Sequence, residues 1–106
     1  MLPFDRSSTP TYDLEAVQRL VGQGPISCRV SQVALTHARA LGHGHADVIN
    51  AVLSLEASDF YKSMPSKLNP GMWQDVYHLS YAGRVLYVKV QIDGRGDAVI
   101  IQFKER

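Results

Sequence analysis

The sequence predicts an α+β fold in which three N-terminal helices pack on one face of a C-terminal antiparallel β-meander. Apolar residues recur at helical spacing through the first sixty residues, whereas beyond Gly71 they alternate with polar residues, as in half-buried strands. With 106 residues, 45% of them hydrophobic and 20% charged, the chain is expected to form one domain, residues 1–106, around a single core. Residues 1–11 are expected to form a flexible tail.

Each predicted helix has its own start or stop signal. The first helix follows Thr11, a candidate N-cap, and stops at a glycine–proline pair. The second helix follows Ser31, another candidate N-cap, and ends at Gly42. A third helix fits residues 46–53, and a short helical turn is expected within residues 54–64.

Three segments with period-two alternation follow, WQDVYHLSY, RVLYVKVQI and AVIIQFKE, and the short links between them predict an antiparallel meander. The residues expected to face the helices are Leu86, Val88, Val90, Ile92, Val99, Ile101 and Phe103. Those expected on the opposite face are Tyr87, Lys89, Gln102 and Lys104. In the first segment Trp73 and Tyr77 compete with Val76 for the core. If they pack inward, Gln74 and His78 join the polar face.

Charge and cysteine content narrow the class of protein. The net charge is +1, but residues 1–60 carry −2 and residues 61–106 carry +3, including all four lysines, so attraction for an anion is expected in the second part. No segment has the length of apolar sequence that a membrane span needs, and the start of the chain lacks a secretory signal pattern. The single Cys28 excludes an internal disulfide and is expected to be a small packing residue. These features predict a cytoplasmic protein.

Several kinds of site are excluded by their missing motifs. The sequence has no phosphate-binding glycine loop, no cysteine or histidine pair at zinc spacing and no serine elbow. The segment GHGH places His43 and His45 near Asp47, but no second ligand cluster completes a tetrahedral set, so a solvated turn is expected there. No metal and no other cofactor is therefore expected.

The remaining polar side chains suit a polyanion. They are Lys62, Gln74, Tyr87, Lys89 and Lys104, with His78 as a further candidate. Amines, phenol and amide without carboxylates bind a divalent cation poorly. RNA supplies its own 2′-hydroxyl nucleophile, so an enzyme has to remove that proton, stabilise the phosphorane and protonate the leaving 5′-oxygen. Clustered lysines serve the second need, and a lysine whose pKa is lowered by like-charged neighbours serves the first. By residue type alone, the solvated side of a sheet explains the same pattern.

Four short segments, SDFYKSM, WQDVY, LYVKV and FKER, resemble the MqsR (motility quorum-sensing regulator) toxin family, and the resemblance runs from about Tyr12 to the end of the chain. It implies a fold like that of the RelE ribonucleases. It also implies the toxin half of a bacterial toxin–antitoxin pair. Such a toxin is an mRNA interferase, an endoribonuclease that cuts single-stranded mRNA at short GC-containing sequences of the GCU type without the ribosome.

The resemblance also implies catalytic residues, which are Lys62, Gln74, Tyr87 and Lys104. On this hypothesis Tyr87 and Lys104 bind and polarise the scissile phosphate. Lys62 acts as a base or as an electrostatic partner, and Gln74 positions RNA by hydrogen bonding.

Further contacts and partners are expected, of which only the protein partner is implied by the resemblance. The residues expected to contact RNA without a catalytic role are Lys89, His78 and Lys67. The expected protein partner is a cognate MqsA-like antitoxin encoded beside the toxin. No membrane partner is expected, and core packing is expected for Trp73, Phe60 and Tyr61. Two alternatives remain open: a non-catalytic module that binds RNA or protein through the polar face, and an interaction protein on which this face is inert.

Overall fold

A computed structural model describes residues 7–106 and has the predicted α+β class. Its helices are α1 (Leu14–Gly22), α2 (Gln32–Ala40) and α3 (His45–Leu53). Its strands are β1 (Cys28–Val30), β2 (Phe60–Pro65), β3 (Trp73–Tyr81), β4 (Arg84–Ile92) and β5 (Ala98–Glu105). Among these described residues, no helix has the length and apolar character that a membrane crossing requires.

The five strands form one mixed sheet in the order β1-β5-β4-β3-β2. The antiparallel connection from β3 through β4 to β5 confirms the predicted meander. The structure adds β1, which runs parallel to β5, and β2, which is antiparallel to β3. The short helical turn expected within residues 54–64 is present at Ala57–Asp59, and β2 begins directly after it at Phe60.

The helix starts follow the expected capping chemistry with one change. Ser31 caps α2, since its hydroxyl accepts a first-turn backbone N–H at 3.0 Å, as predicted. The N-cap of α1 is Asp13, not Thr11, and its carboxylate accepts a first-turn N–H at 3.3 Å. Thr11 instead donates its N–H to Asp75 at 3.0 Å and pairs its hydroxyl with Ser63 at 2.6 Å. The cap prediction therefore failed because a tertiary contact holds Thr11 away from the helix.

The N-terminal segment contacts strands β2 and β3. Residues 1–6 of the expected tail lie outside the described residues. Ser7 exchanges two backbone hydrogen bonds with Ser63 of β2, and the N–H groups of Thr11 and Tyr12 both donate to the carboxylate of Asp75 on β3. Asp75 is fully buried, so these two N–H groups supply the partners that a buried carboxylate requires.

The core combines residues from the helices with alternate residues of the long strands. Its largest fully buried side chains include Val17, Val21, Val48, Val52, Tyr77, Leu86, Val88, Val90, Ile100 and Phe103. Cys28 is buried in the same cluster, which confirms its packing role, and burial raises the pKa of its thiol. The inward set predicted for β4 is confirmed, since Leu86, Val88 and Val90 are at most 1% exposed.

The inward set predicted for β5 is partly wrong. A β-bulge inserts Ile101 as an extra residue opposite β4, and this reverses the alternation halfway along the strand. Ile100 therefore enters the core beside Phe103, whereas Ile101 remains half-buried. Val99, also predicted to face the helices, instead lies across from Gln91.

Candidate active site

One face of the sheet, opposite to the strand residues that enter the core, carries a group of polar and aromatic side chains that we call the polar face. It is formed by Tyr61, Lys62, Met64, Gln74, His78, Tyr87, Lys89 and Lys104. None of these residues is a carboxylate. The β3 alternative is thereby resolved: Tyr77 packs inward, and Gln74 and His78 join the polar face.

A row of side chains crosses the polar face perpendicular to the strands. Strand register places His78 of β3 across from Tyr87 of β4, and Tyr87 across from Lys104 of β5. The Tyr61 ring of β2 stacks on His78, with centroids 4.2 Å apart and planes at 21°, and His78 lies 6.1 Å from the Tyr87 ring. The ammonium of Lys104 is 5.1 Å from the Tyr87 centroid, within range of a cation–π contact. The structure therefore brings Tyr87 and Lys104 together, as predicted.

Tyr87 is the aromatic residue at the centre of this row. It is half-buried, and its hydroxyl points towards the sulfur of Met64 at 4.0 Å. Burial raises the pKa of its phenol, and the phenol of Tyr61 adds to the rise. The Tyr87 hydroxyl is therefore protonated at neutral pH and available as a hydrogen-bond or proton donor.

Lys89 lies beside Tyr87 on β4, with its ammonium 5.8 Å from the Tyr87 centroid. Burial lowers the pKa of Lys89, and the charges of Lys104, Lys62 and Lys67 lower it further, in that order. A lysine with a pKa lowered by like-charged neighbours was predicted, but this lysine is Lys89, which was expected only to contact RNA.

Lys62 lies across from Val76 of β3, with its ammonium 5.6 Å from the Tyr61 ring. Its charge acts on His78 as well as on Lys89. Burial, then Arg106, then Lys62 lower the pKa of His78 below its usual value of 6.5. His78 is therefore mainly neutral at pH 7, which suits its stacked position on the Tyr61 ring.

Gln74 is on the polar face but is largely covered. It is 8% exposed, and its amide donates to the Gln91 side chain at 3.3 Å. It lies near the β2–β3 loop, which carries the exposed Lys67. Gln102, predicted for the polar face, instead has its amide oxygen 2.8 Å from His37 of α2, so the structure does not bring it into the group.

Sequence reasoning missed two members of the polar face. Tyr61, expected in the core, is 43% exposed and stacks on His78. A β-bulge in β2 places Tyr61 and Lys62 on one face although they are consecutive, and no local sequence signal announces such a bulge. Met64 was missed because β2 was not predicted. Phe60 packs against the core, as expected, with its ring 5.6 Å from that of Tyr77.

The GHGH segment has a packing environment of its own. His43 has its Nδ1 3.7 Å from the Asp47 carboxylate, and its ring meets Tyr81 and Phe103 edge to face at 5.7 and 6.2 Å. Within residues 7–106, no three histidine, cysteine, aspartate or glutamate side chains are grouped so that they could hold a metal ion.

Comparison with known proteins places this chain in a family. The family model described as motility quorum-sensing regulator, toxin of MqsA, matches residues 9–105. The chain belongs to this family. It is 35% identical over 98 residues to the mRNA interferase toxin MqsR of Escherichia coli (strain K12), and the match covers 92% of this chain and 96% of that protein. The resemblance noted in the sequence is thereby confirmed, and the whole polar face lies within the matched residues.

Proposed function

We propose that this member of the MqsR toxin family is a metal-independent endoribonuclease, an mRNA interferase that cleaves single-stranded mRNA at short GC-containing sequences and so inhibits translation and growth. The observation that carries the proposal is the phenol of Tyr87 with the side-chain nitrogens of Lys104 and Lys89 at 5.1 and 5.8 Å from its ring. The protonated phenol and the Lys104 ammonium can grip a single phosphodiester, with the Lys89 amine beside them. The E. coli relative is named for the same activity.

The reaction uses the nucleophile that RNA contains. The 2′-oxygen attacks the adjacent phosphorus, the bond from phosphorus to the 5′-oxygen breaks, and the products are a 2′,3′-cyclic phosphate and a 5′-hydroxyl. Lys104 and Tyr87 hold the phosphate oxygens as negative charge grows on the phosphorane. Each well-aimed donor of this kind contributes about 2.7–4 kcal/mol to lowering the barrier.

The remaining residues position the RNA. Lys62 is an electrostatic partner of the phosphate or the base that takes the 2′-hydroxyl proton. Gln74, whose amide is hydrogen-bonded to Gln91, positions RNA from the end of the face. The stacked pair of Tyr61 and His78 offers an aromatic surface for a nucleobase, since every base can stack on such a surface. Lys67, exposed in the adjacent loop, adds a further contact to the backbone.

The fold and the partner complete the proposal. We place the helices on the side of the sheet opposite to the polar face, as in RelE-like ribonucleases, because helix and strand side chains share one core. The single domain acts in the cytoplasm, where mRNA is found. A cognate MqsA-like antitoxin, the partner named in the family description, binds the toxin and blocks its activity.

The test is cleavage of an end-labelled single-stranded RNA by purified protein in EDTA. Cleavage that yields 2′,3′-cyclic phosphate ends, and that is lost in Tyr87→Phe and Lys104→Ala but retained in Val33→Ala, supports the proposal. Val33 is a suitable control because it is 54% exposed on α2, away from the polar face. RNA retention without cutting supports the binding-module alternative. Absence of both cutting and retention supports an inert face.

A further inference from the structure

Lys89 occupies the centre of the polar face. Its strand, β4, has β3 on one side and β5 on the other, and Lys89 lies across from Val76 and Gln102. Val76 points to the same face and is fully buried, so an apolar side chain adjoins Lys89 on this side. Lys104, by contrast, is exposed near the end of β5, and Lys62 lies on the outer strand β2. Lys104 also lies beyond the β5 residues that pair with β1, so of the three lysines it is Lys89 that has a paired strand on both sides.

The charges around Lys89 all act in one direction. Lys104 faces it from β5, Lys62 from β2 and Lys67 from the β2–β3 loop, and each ammonium disfavours a further positive charge. The titratable neighbours Tyr87 and His78 are neutral at pH 7, because the pKa of the phenol is raised and that of the imidazole is lowered. Burial beside Val76 works in the same direction. The pKa of Lys89 is therefore lowered, and a larger fraction of this amine is neutral than in an exposed lysine.

We propose that Lys89 is the general base of the cleavage reaction, an inference that rests on the proposed nuclease function. The neutral amine takes the proton of the 2′-hydroxyl as the bond from the 2′-oxygen to phosphorus forms. The bond from phosphorus to the 5′-oxygen breaks, and the Tyr87 phenol gives its proton to that leaving oxygen. Solvent then removes the proton from Lys89 and returns one to Tyr87, so the protons balance over a turnover. Lys104 and Lys62 hold the phosphate.

The same arrangement predicts a difference between two pH profiles. The free enzyme presents Lys89 among cations, whereas bound RNA adds a phosphodiester anion that favours the charged amine. The acid limb of kcat/KM, which reports the free enzyme, is therefore expected at lower pH than the acid limb of kcat, which reports the complex. Both limbs rise with pH, because the base acts in its neutral form.

The first experiment replaces the base without removing its charge. In Lys89→Arg the guanidinium stays protonated throughout the accessible pH range, so it binds phosphate but accepts no proton. Cleavage is expected to fall by about a hundred- to ten-thousand-fold, the usual range for a lost acid or base. Binding of an RNA with a 2′-deoxynucleotide at the cleavage site, which cannot react, is expected to stay within a few-fold of wild type. Lys62→Arg is the matched comparison and is expected to lose distinctly less cleavage.

A second experiment changes the acidity of the amine itself. Lys89→Cys, made with Cys28→Ala so that one thiol remains, is alkylated with 2-bromoethylamine to give a lysine analogue whose amine is more acidic. Cleavage is expected to return on alkylation, with its acid limb moved to lower pH than in the Cys28→Ala parent. A purely electrostatic Lys89 would return activity without moving the limb.

The outcomes distinguish a failure of the Lys89 assignment from a failure of the nuclease proposal. If wild type cleaves RNA and Lys89→Arg cleaves within tenfold of it, or if the alkylated protein keeps the parental acid limb, Lys89 is not the base and the nuclease proposal stands. If Lys62→Arg loses more cleavage than Lys89→Arg while both bind the unreactive RNA, the base is Lys62. If wild type cuts no RNA, both proposals fail together.

Discussion

The two sides of strand β4 differ in almost every physical property although their residues alternate along one chain. Leu86, Val88 and Val90 are at most 1% exposed and enter the core, whereas Tyr87 and Lys89 stay half-exposed on the polar face among like charges. Burial of the apolar side stabilises the folded protein, whereas mutual repulsion between the cations of the other side destabilises it. The residues that stabilise the fold and those proposed to act in catalysis therefore lie on opposite faces of the sheet. A single substitution on one face should change unfolding free energy without changing cleavage, and one on the other face should do the reverse.

Consecutive residues of β5 give the largest test of that separation. Phe103 is fully buried and meets the His43 ring edge to face, so Phe103→Ala removes a large core side chain and leaves a cavity. The expected loss of unfolding free energy is about 3–5 kcal/mol, measured by urea denaturation. That is a large part of the roughly 5–15 kcal/mol typical of a domain. Cleavage per folded molecule should stay near wild type at low temperature, and a specific catalytic defect there would break the comparison.

Lys104, the next residue, should give the opposite result. It is exposed and its ammonium lies over the Tyr87 ring, so Lys104→Ala removes a phosphate donor without opening the core. The expected loss is about 2.7–4 kcal/mol of transition-state stabilisation, measured as the single-turnover cleavage rate. Its unfolding free energy should change by no more than about 0.5 kcal/mol. A variant that keeps full cleavage, or that unfolds like Phe103→Ala, would contradict the assignment of this face to catalysis.

Asp75 is the exception that sharpens the comparison, since it is a carboxylate on the core side of β3. It is fully buried and accepts the N–H groups of Thr11 and Tyr12 at 3.0 and 2.9 Å. Asp75→Ala leaves two donors without a partner, and the expected cost is about 1–3 kcal/mol of unfolding free energy. Amide hydrogen exchange should accelerate at these two residues.

Asp75→Asn is the matched control, because its amide oxygen still accepts one N–H. It should lose less stability than Asp75→Ala, and both variants should cleave RNA once folded. A catalytic loss in folded Asp75→Asn would place this carboxylate in the chemistry and remove the division between faces.

The parts of the fold that sequence predicts are those with a strong local period. Strand β4 was predicted residue by residue because its polar and apolar positions alternate without interruption. Strand β1 has only three residues, and it pairs with β5 about seventy positions along the chain, so local pattern carries no signal for it. In β5 a bulge adds one residue and reverses the alternation, which is why Val99 was predicted on the core side although it lies across from Gln91. Strand β2 was not predicted, and its own bulge places Tyr61 on the polar face rather than in the core.

The candidate site shows the same limit in its energetics. Residue type and family motif predicted Tyr87 and Lys104 as neighbours, and the structure confirms that they are. The lowered pKa of Lys89 depends on its burial and then on Lys104, Lys62 and Lys67, which lie on two other strands and a loop. These contributions come from distant parts of the chain, so the lowered pKa can be recognised only from the assembled sheet.

The smallest effect is expected at the β4–β5 turn, which belongs to neither face. The guanidinium of Arg29 on β1 donates hydrogen bonds to Asp93 and, at 3.1 Å, to Asp97. The hydrogen bond between Arg29 and Asp93 is the main cause that lowers the pKa of Asp93. A carboxyl with a lowered folded pKa contributes stability that is complete above its unfolded pKa of about 3.9 and is lost as pH falls through the folded value.

Wild type should therefore lose unfolding free energy more steeply than Arg29→Ala when urea denaturation is repeated from pH 6 down to pH 3. Because Arg29 is half-exposed and screened by solvent, the two proteins should differ by no more than about 1 kcal/mol at pH 6 and converge in acid. Part of the slope should survive in Arg29→Ala, since the N–H groups of Arg95 and Asp97 also lower the pKa of Asp93. Cleavage at neutral pH should not change. If the difference in unfolding free energy between wild type and Arg29→Ala instead grows as the pH falls, the pH dependence has the opposite sign and this ion pair opposes folding.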